Sequence, residues 1–404
     1  MESAINLALN PDKIQLEINL PASKSISNRA LILNALSYSP FEIENLSDCD
    51  DTRVLINVLN SNDYRFDVGA AGTSMRFLTA FLAKTVGEWR ITGSERMKNR
   101  PIKLLVDALN SLGAKIEYLE KEGFPPLKIY GSALKGGHIC LNGGVSSQYI
   151  SALMMIAPYM QQGLKISLEG EVISIPYIRM TINMMQDFGI KVEFQNNEIN
   201  IKPQVYSPVP FQVESDWSAA SYWYEILSVA REGKITLRGL KKDSCQGDSR
   251  VAEIFESLGV STEYTKHGVI LTPDEKLPVK HLTLDFKNIP DLAQTIAVTC
   301  CLKGITFDFT GLQSLKIKET NRIEALINEL RKLGYVIHEP AEGQLVWNGE
   351  KCLMNENPEI STYDDHRMAM AFAPAALLHP LTIRHPEVVS KSYPGFWNDL
   401  RLIF

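Results

Sequence analysis

The sequence predicts an α/β protein of two similar domains, each made of three repeats of one buried helix, one half-exposed helix and several strands. Three observations lead there. A wholly apolar helix with a polar start recurs six times. Amphipathic helices that end on glycine and run into alternating strands lie between those apolar helices. The apolar helices also keep a beat: after a first interval of about 50 residues, their starts are about 70 to 75 apart, a period that marks repeated architecture.

The first apolar helix shows the design. Residues 21–36, PASKSISNRALILNAL, place Ser23, Lys24, Ser25, Ser27 and Arg29 ahead of an apolar run from Ala30 to Leu36. Free N–H groups and the positive dipole end at a helix start favour an anion by about 0.3 to 1 kcal/mol. With two cations and several hydroxyls added, a phosphate or carboxylate is the fitting guest. Taken alone, the stretch fits a serine-capped surface helix equally well. Recurrence separates the two readings, because the same polar mouth precedes the apolar bodies that begin near Ala71, Ser146, Asp216, Pro290 and Asp364.

The second helix type follows in LLVDALNSLGAKIEYL, TINMMQDFGIKVEF, VAEIFESLGVSTEY and EALINELRKLGYVIHE, with glycines 113, 189, 259 and 334 as stops. Helices as apolar as ALMMIAPYM need enclosure on all sides by strands and other helices. Repeat phase puts the changes of domain near Leu20–Ser23 and Val213–Asp216. One domain is then residues 21–213; the other is 1–20, with the strand-like KIQLEINL, plus 214–404. Six polar mouths are expected to face a shared, positively charged cleft.

With 404 residues and 45% hydrophobic content the chain can bury large cores, and its net charge of −6 argues against nucleic acid or an anionic membrane as partner. Cations gathered at helix mouths in an acidic protein point to a small, strongly anionic ligand. Six cysteines without CxxC spacing read as free thiols of a reducing cytoplasm. The N-terminus lacks the apolar core of a signal peptide, and no apolar run reaches the roughly 18 residues that span a bilayer. A soluble, cytoplasmic protein is expected.

Several mouths carry chemistry. In GAAGTSMR, Gly72 and Thr73 let backbone N–H groups approach an anion and Arg76 adds charge, although a plain glycine turn fits as well. In GSERMKNRPIKLL, Lys98 and Lys103 read as solvated charges, whereas Arg100 is held by Pro101 against a helix start. LKIKETNRIEAL sets Lys318 and Arg322 on one helix face with Glu319 offset. Asp291 heads an apolar helix, and Asp364, Asp365, His366 and Arg367 share another mouth, with Lys391 beyond it. An anion-binding site alone has no use for Asp291 and Glu319, which repel the guest; their presence argues for proton transfer. No HExxH, Cys/His cluster or EF-hand loop occurs, so no metal and no cofactor is expected.

Together these stretches closely resemble the 5-enolpyruvylshikimate-3-phosphate synthases. The resemblance runs through SKSISNRALIL, AGTSMR, RMKNRPIKLLVDAL, VSSQYISALMM, SIPYIRMT, CQGDSR, IPDLAQT, KIKETNRI, YDDHRMAMAF and VVSKSYPGF, in order over nearly the whole chain. It implies two domains, each of three βαβαββ units around buried parallel helices, an inside-out α/β barrel, with the active site in the interdomain cleft. The implied reaction transfers the enolpyruvyl group of phosphoenolpyruvate to the 5-hydroxyl of shikimate 3-phosphate, releasing phosphate. The resemblance assigns Lys24, Ser25, Arg29, Ser146, Ser147, Gln148, Ser174, Tyr177, Asp291, Ser314 and Lys318 to shikimate 3-phosphate. To phosphoenolpyruvate it assigns Lys24, Gly72, Arg100, Gln148, Arg322, Arg367 and Lys391. Asp291 is then the base for the 5-hydroxyl, and Glu319 with Lys24 handles the proton at the methylene carbon. A monomer with small-molecule partners is expected.

The chain departs from that family at Ala70 and Ser314, where many members carry asparagine, and at Phe77, where many carry proline. The UDP-N-acetylglucosamine enolpyruvyl transferases share the fold and donor but carry KN near the N-terminus and a loop cysteine. GSERMKNRP has no cysteine. A non-catalytic phosphate-ester-binding protein on the same scaffold is the alternative of another class, and the acid pair counts against it.

Overall fold

The structure is a computed structural model that describes residues 3–9, 14–274 and 279–403; Lys13, the first residue of KIQLEINL, lies outside them. The apolar stretches form helices at Lys24–Leu36, Gly72–Lys84, Ser147–Ile156, Trp217–Ala230, Ala293–Lys303 and His366–Phe372. Burial surrounds them because their few hydroxyls are satisfied internally. Thr79 and Thr299 donate to carbonyls one turn back, and Ser228 donates to the Leu258 carbonyl, each at 2.7 Å. Two of the helices finish in 3₁₀ turns, Ala157–Tyr159 and Ala373–Leu377, each with a proline at its start, which has no N–H to continue the α-helical ladder.

Half-exposed helices form at Lys103–Ser111, Ile175–Asp187, Val251–Glu256 and Arg322–Lys332, and a further one at Asp50–Leu59. Gly113, Gly189, Gly259 and Gly334 follow the first four at φ of 101°, 84°, 87° and 90°, a region that residues with a Cβ rarely enter. Strands Lys115–Tyr118, Glu193–Gln195 and Val260–Thr265 come next. After Gly334 the expected strand is reduced to isolated bridges, Tyr335 with Lys351 and His338 with Val346. Pro340 closely follows and cannot donate to a ladder.

The strands repeat one plan, a parallel pair joined through a buried helix and flanked by an antiparallel hairpin. Arg65–Asp67 pairs in parallel with Gly87–Thr92, which pairs antiparallel with Leu127–Gly131 and that with Lys115–Tyr118. Gly137–Asn142 and Leu164–Glu169 carry the hairpin Glu193–Gln195 and Glu198–Ile201 in the same way. Gln15–Asn19 is parallel to Lys234–Arg238, beside Val260–Thr265 and Gly268–Pro273. His281–Asp285 is parallel to Thr306–Thr310 with the single antiparallel strand Leu345–Trp347. Glu359–Ile360 is parallel to Leu381–Arg384, whose antiparallel neighbour is Ala4–Leu7. These are βαβαββ units, complete or abbreviated.

Contacts divide the chain into two compact units, Ala22–Val213 and Met1–Pro21 with Glu214–Phe404. The first is contiguous and is closed at its ends by the parallel pair Ile43–Glu44 and Phe211–Gln212. The second has an aromatic core in which Phe307 and Phe309 stack at 4.2 Å and Phe286 meets Phe309 edge-on. Among the described residues no helix is long and apolar enough to cross a membrane.

Candidate active site

In the Ala22–Val213 unit the polar mouths are cross-linked by side chains. Ser23 caps the Lys24–Leu36 helix by accepting from the Ile26 N–H. Lys24 Nζ lies 4.0 Å from Asp51 Oδ2. Arg29, only 2% exposed, donates from Nε to Thr181 Oγ1 at 2.7 Å, from Nη2 to Ser151 Oγ at 3.0 Å and from Nη1 to the Ser25 carbonyl at 2.9 Å. Its guanidinium also sits 5.3 Å from the Phe77 ring centre and 6.0 Å from that of Tyr177. One cation therefore fixes three helices relative to each other at their polar ends.

The Gly72 mouth gathers the other cations. A Cβ at Gly72 would stand 2.7 Å from Arg100 Nη1 and 2.9 Å from Arg76 Nη1, so the missing side chain is what admits two guanidinium groups. Arg76 Nη1 donates to the Gly72 carbonyl at 2.8 Å, while Arg100 Nε is buried with no hydrogen-bond partner. Gln148 Nε2 donates to Thr73 Oγ1 at 3.1 Å, joining this mouth to the Ser147–Ile156 helix, which Ser146 caps. Ser147 is buried. Ser174 is buried too and, at φ 56°, holds a left-handed conformation where the Ile175–Asp187 helix begins. Ser146, Ser147 and Ser174 are thus placed by helix starts. Lys24, Arg29, Gln148 and Tyr177 meet other motifs through side chains, and the Arg100 side chain reaches Gly72.

Arg322 organises the second unit. It is 1% exposed and donates from Nε and Nη2 to Asp365 at 2.7 and 3.3 Å, from Nη1 to Asp291 Oδ1 at 3.2 Å and from Nη2 to Glu319 Oε2 at 2.9 Å. Burial works against its charge, and Asp365, Glu319 and Asp291 more than offset this, raising its pKa. Arg367 Nη2 is 3.1 Å from Asp291 Oδ2, and its Nη1 donates to the Asp291 carbonyl at 3.2 Å. Lys391 Nζ is 2.9 Å from Glu319 Oε1. Both oxygens of Asp291 and both of Glu319 are therefore held by cations. Burial lowers the Lys318 pKa, while the Asp291 charge opposes that. Ser314 lies in the 3₁₀ turn Gln313–Ile317.

The structure corrects two local expectations. Lys318 and Glu319 do not share a helix with Arg322, because Asn321 caps the Arg322–Lys332 helix, accepting from the Glu324 N–H while its amide donates to the Glu324 carboxylate at 3.2 Å. Pro101 does not occupy a helix first turn; Ile102, at φ −135°, precedes a helix that starts at Lys103. Two partners went unassigned in the sequence, Asp51 beside Lys24 and Asp365 beneath Arg322. The aspartate before the His366 helix was the available signal for Asp365, which also accepts from the Arg367 N–H at 2.9 Å. Among the described residues no three His, Cys, Asp or Glu side chains gather as a metal site.

Repeated βαβαββ units whose buried helices open on interleaved cations and carboxylates form an α/β scaffold with strongly charged helix starts. The family profile described as EPSP synthase (3-phosphoshikimate 1-carboxyvinyltransferase) matches residues 9–61 and 56–400, and the chain belongs to that family. A 3-phosphoshikimate 1-carboxyvinyltransferase of Bacteroides fragilis (strain YCH46) is 56% identical over 97% of this chain and 96% of its own length. The enzyme of the same name from Vibrio campbellii is 37% identical over 98% of this chain and 99% of its own. An EPSP synthase structure from Acinetobacter baumannii shares the fold, with a TM-score of 0.81 at 19% identity, over 99% of this chain and 98% of that one.

Proposed function

We infer that this chain transfers the enolpyruvyl group of phosphoenolpyruvate to the 5-hydroxyl of shikimate 3-phosphate, giving 5-enolpyruvylshikimate 3-phosphate and phosphate. The reaction belongs to the shikimate pathway of aromatic amino-acid biosynthesis, and we place the protein in the cytoplasm as a monomer. The geometry that carries the reading is the pairing of Asp291 and Glu319 through Arg322, two carboxylates kept within a cationic cluster.

In the Ala22–Val213 unit we assign Lys24, Ser25, Arg29, Ser146, Ser147, Gln148, Ser174 and Tyr177 to shikimate 3-phosphate, and Lys24, Gly72, Arg100 and Gln148 to phosphoenolpyruvate. In the other unit Asp291, Ser314 and Lys318 go to the first substrate, and Arg322, Arg367 and Lys391 to the second. The 5-hydroxyl oxygen bonds to C2 of phosphoenolpyruvate as C3 takes a proton, giving a tetrahedral intermediate. Loss of a C3 proton then expels phosphate as the C2–O(phosphate) bond breaks. Asp291 receives the hydroxyl proton. Glu319, with Lys24, handles the proton at C3. Fixed guanidinium groups stabilise the negative charge throughout, without reorganisation cost at the moment of reaction.

The test is phosphate release from phosphoenolpyruvate in chelator-treated buffer, with shikimate 3-phosphate or UDP-N-acetylglucosamine as acceptor. Release with shikimate 3-phosphate alone is expected. Release with the nucleotide sugar alone, or with neither acceptor from folded protein, refutes the assignment.

A further inference from the structure

Asp248 lies outside the residues assigned above, and its neighbours fix it firmly. Gln246 accepts from the Trp217 N–H at 3.1 Å and donates to the Ser215 carbonyl at 2.8 Å, clamping the turn Gly247–Arg250 onto the start of the Trp217–Ala230 helix. From that helix the Ser218 hydroxyl donates to Asp248 Oδ2. The other oxygen, Oδ1, is buried and has no hydrogen-bond partner, and the residue is 4% exposed. Charged groups that act on it include Asp291, Arg367 and Asp216.

A carboxylate in this position is poorly satisfied, since an ionised group wants donors at both oxygens and this one has a single hydroxyl. Protonated, the group is neutral and no longer bears the cost of a buried charge that a single hydroxyl supports. Burial first, and then the charge of Asp291, push the Asp248 pKa up to about 7, against the opposing pull of Arg367 and the Ser218 hydroxyl.

We propose that Asp248 is a positioning residue that holds a proton in the working site and thereby leaves Arg367 to the anionic substrate. The proposal rests on the functional reading above. Asp291 already stands 3.1 Å from Arg367 Nη2, and Asp216 adds a further negative charge near Asp248, so an ionised Asp248 weakens the positive field that an incoming anion meets at Arg367. It also faces Arg367 with a second carboxylate beside Asp291. Anion binding therefore favours, and takes up, the proton on Asp248.

Two measurements test this. In the first, kcat/KM for phosphoenolpyruvate is followed from about pH 6 to 9 at saturating shikimate 3-phosphate. The wild type is expected to lose up to about tenfold per pH unit above neutrality, the slope of one ionisation. Asp248→Asn, neutral at every pH, is expected to lack that limb, and Ser218→Ala, which removes the donor to the charged form, to move it to higher pH. Limbs that coincide in wild type and both variants overturn the proposal. The second measurement needs no turnover: with Glu225→Leu introduced to remove another buried carboxyl whose pKa burial raises, infrared pH titration of the otherwise wild-type protein should show a protonated-carboxyl carbonyl band that bleaches near neutral pH and is absent when Asp248→Asn is added. A Glu225→Leu protein without such a band overturns the proposal even if Asp248→Asn fails to fold. Phosphate release that fails while the band is present condemns the functional reading and not the protonation of Asp248.

Discussion

Asp291 is useful as a base because Arg322 and Arg367 hold its carboxylate in place from two sides. Asp291→Asn keeps the shape and removes the charge, so kcat is expected to fall by about 10² to 10⁴. Phosphoenolpyruvate binding, followed by equilibrium dialysis, should persist; near-normal turnover would refute the base. Gly72 gives a second test at this scale. The Cβ of Gly72→Ala meets two guanidinium nitrogens inside 3 Å, so Arg100 and Arg76 must move. Both are ends of flexible side chains, so the fold tolerates the shift, but a displaced charge-assisted contact to the ligand is worth about 1.5 to 3 kcal/mol; KM for phosphoenolpyruvate is expected to rise roughly tenfold to a hundredfold, with unchanged circular dichroism. An unaltered KM would remove Gly72 and Arg100 from that ligand. The cations of this network were legible in the sequence because they cluster at helix starts. Their partners were less so: Asp51 reaches Lys24 from another helix, and Asp365 lies 43 positions from Arg322, separations that local pattern does not encode.

At the scale of elements, glycine at positive φ is what made the half-exposed helices readable. The Asp50–Leu59 helix escaped because Cys49 makes no side-chain cap bond and Asn60 continues in the right-handed region, so neither end carries a stop signal. The buried helices raise a different question at Glu225, in the middle of Trp217–Ala230. It is fully buried, and burial raises its pKa well above the usual carboxylate range against the weaker opposing pull of the Thr299 hydroxyl. The folded pKa thus exceeds the unfolded one, so Glu225 contributes stability that is complete below about pH 4, near its unfolded pKa, and is lost as pH rises. Glu225→Leu removes that dependence. Thermal melts should show the variant gaining on the wild type between about pH 4 and 8, by at most about 1.4 kcal/mol per pH unit, the slope of one ionisation. A difference that does not vary with pH would mean that Glu225 is ionised in the folded protein.

For the whole molecule the question is which segments fold without the others. All the strand pairings of residues 22–213 close within that contiguous span, whereas the other unit draws two strands from the chain's beginning. Repeat phase made the departure of residues 1–20 from the first unit readable; the partners of Ala4–Leu7 and Gln15–Asn19, the strands Leu381–Arg384 and Lys234–Arg238, were not, since pairing across such distances leaves no periodic trace. Leu7, Leu9, Ile14, Ile18 and Leu20 are each no more than 7% exposed and belong to one core with Trp217 and Trp223. At about 1.5 to 3 kcal/mol for each buried side chain, they hold roughly 8 to 15 kcal/mol, as much as the entire net stability of an ordinary domain, about 5 to 15 kcal/mol. A fragment of residues 22–213 is therefore expected to melt cooperatively alone, and one of residues 214–404 to lack a cooperative transition until a peptide of residues 1–21 is added. Calorimetry of the two fragments, with and without that peptide, decides it. A cooperative melt of residues 214–404 alone would show that the N-terminal strands decorate the second unit instead of completing it.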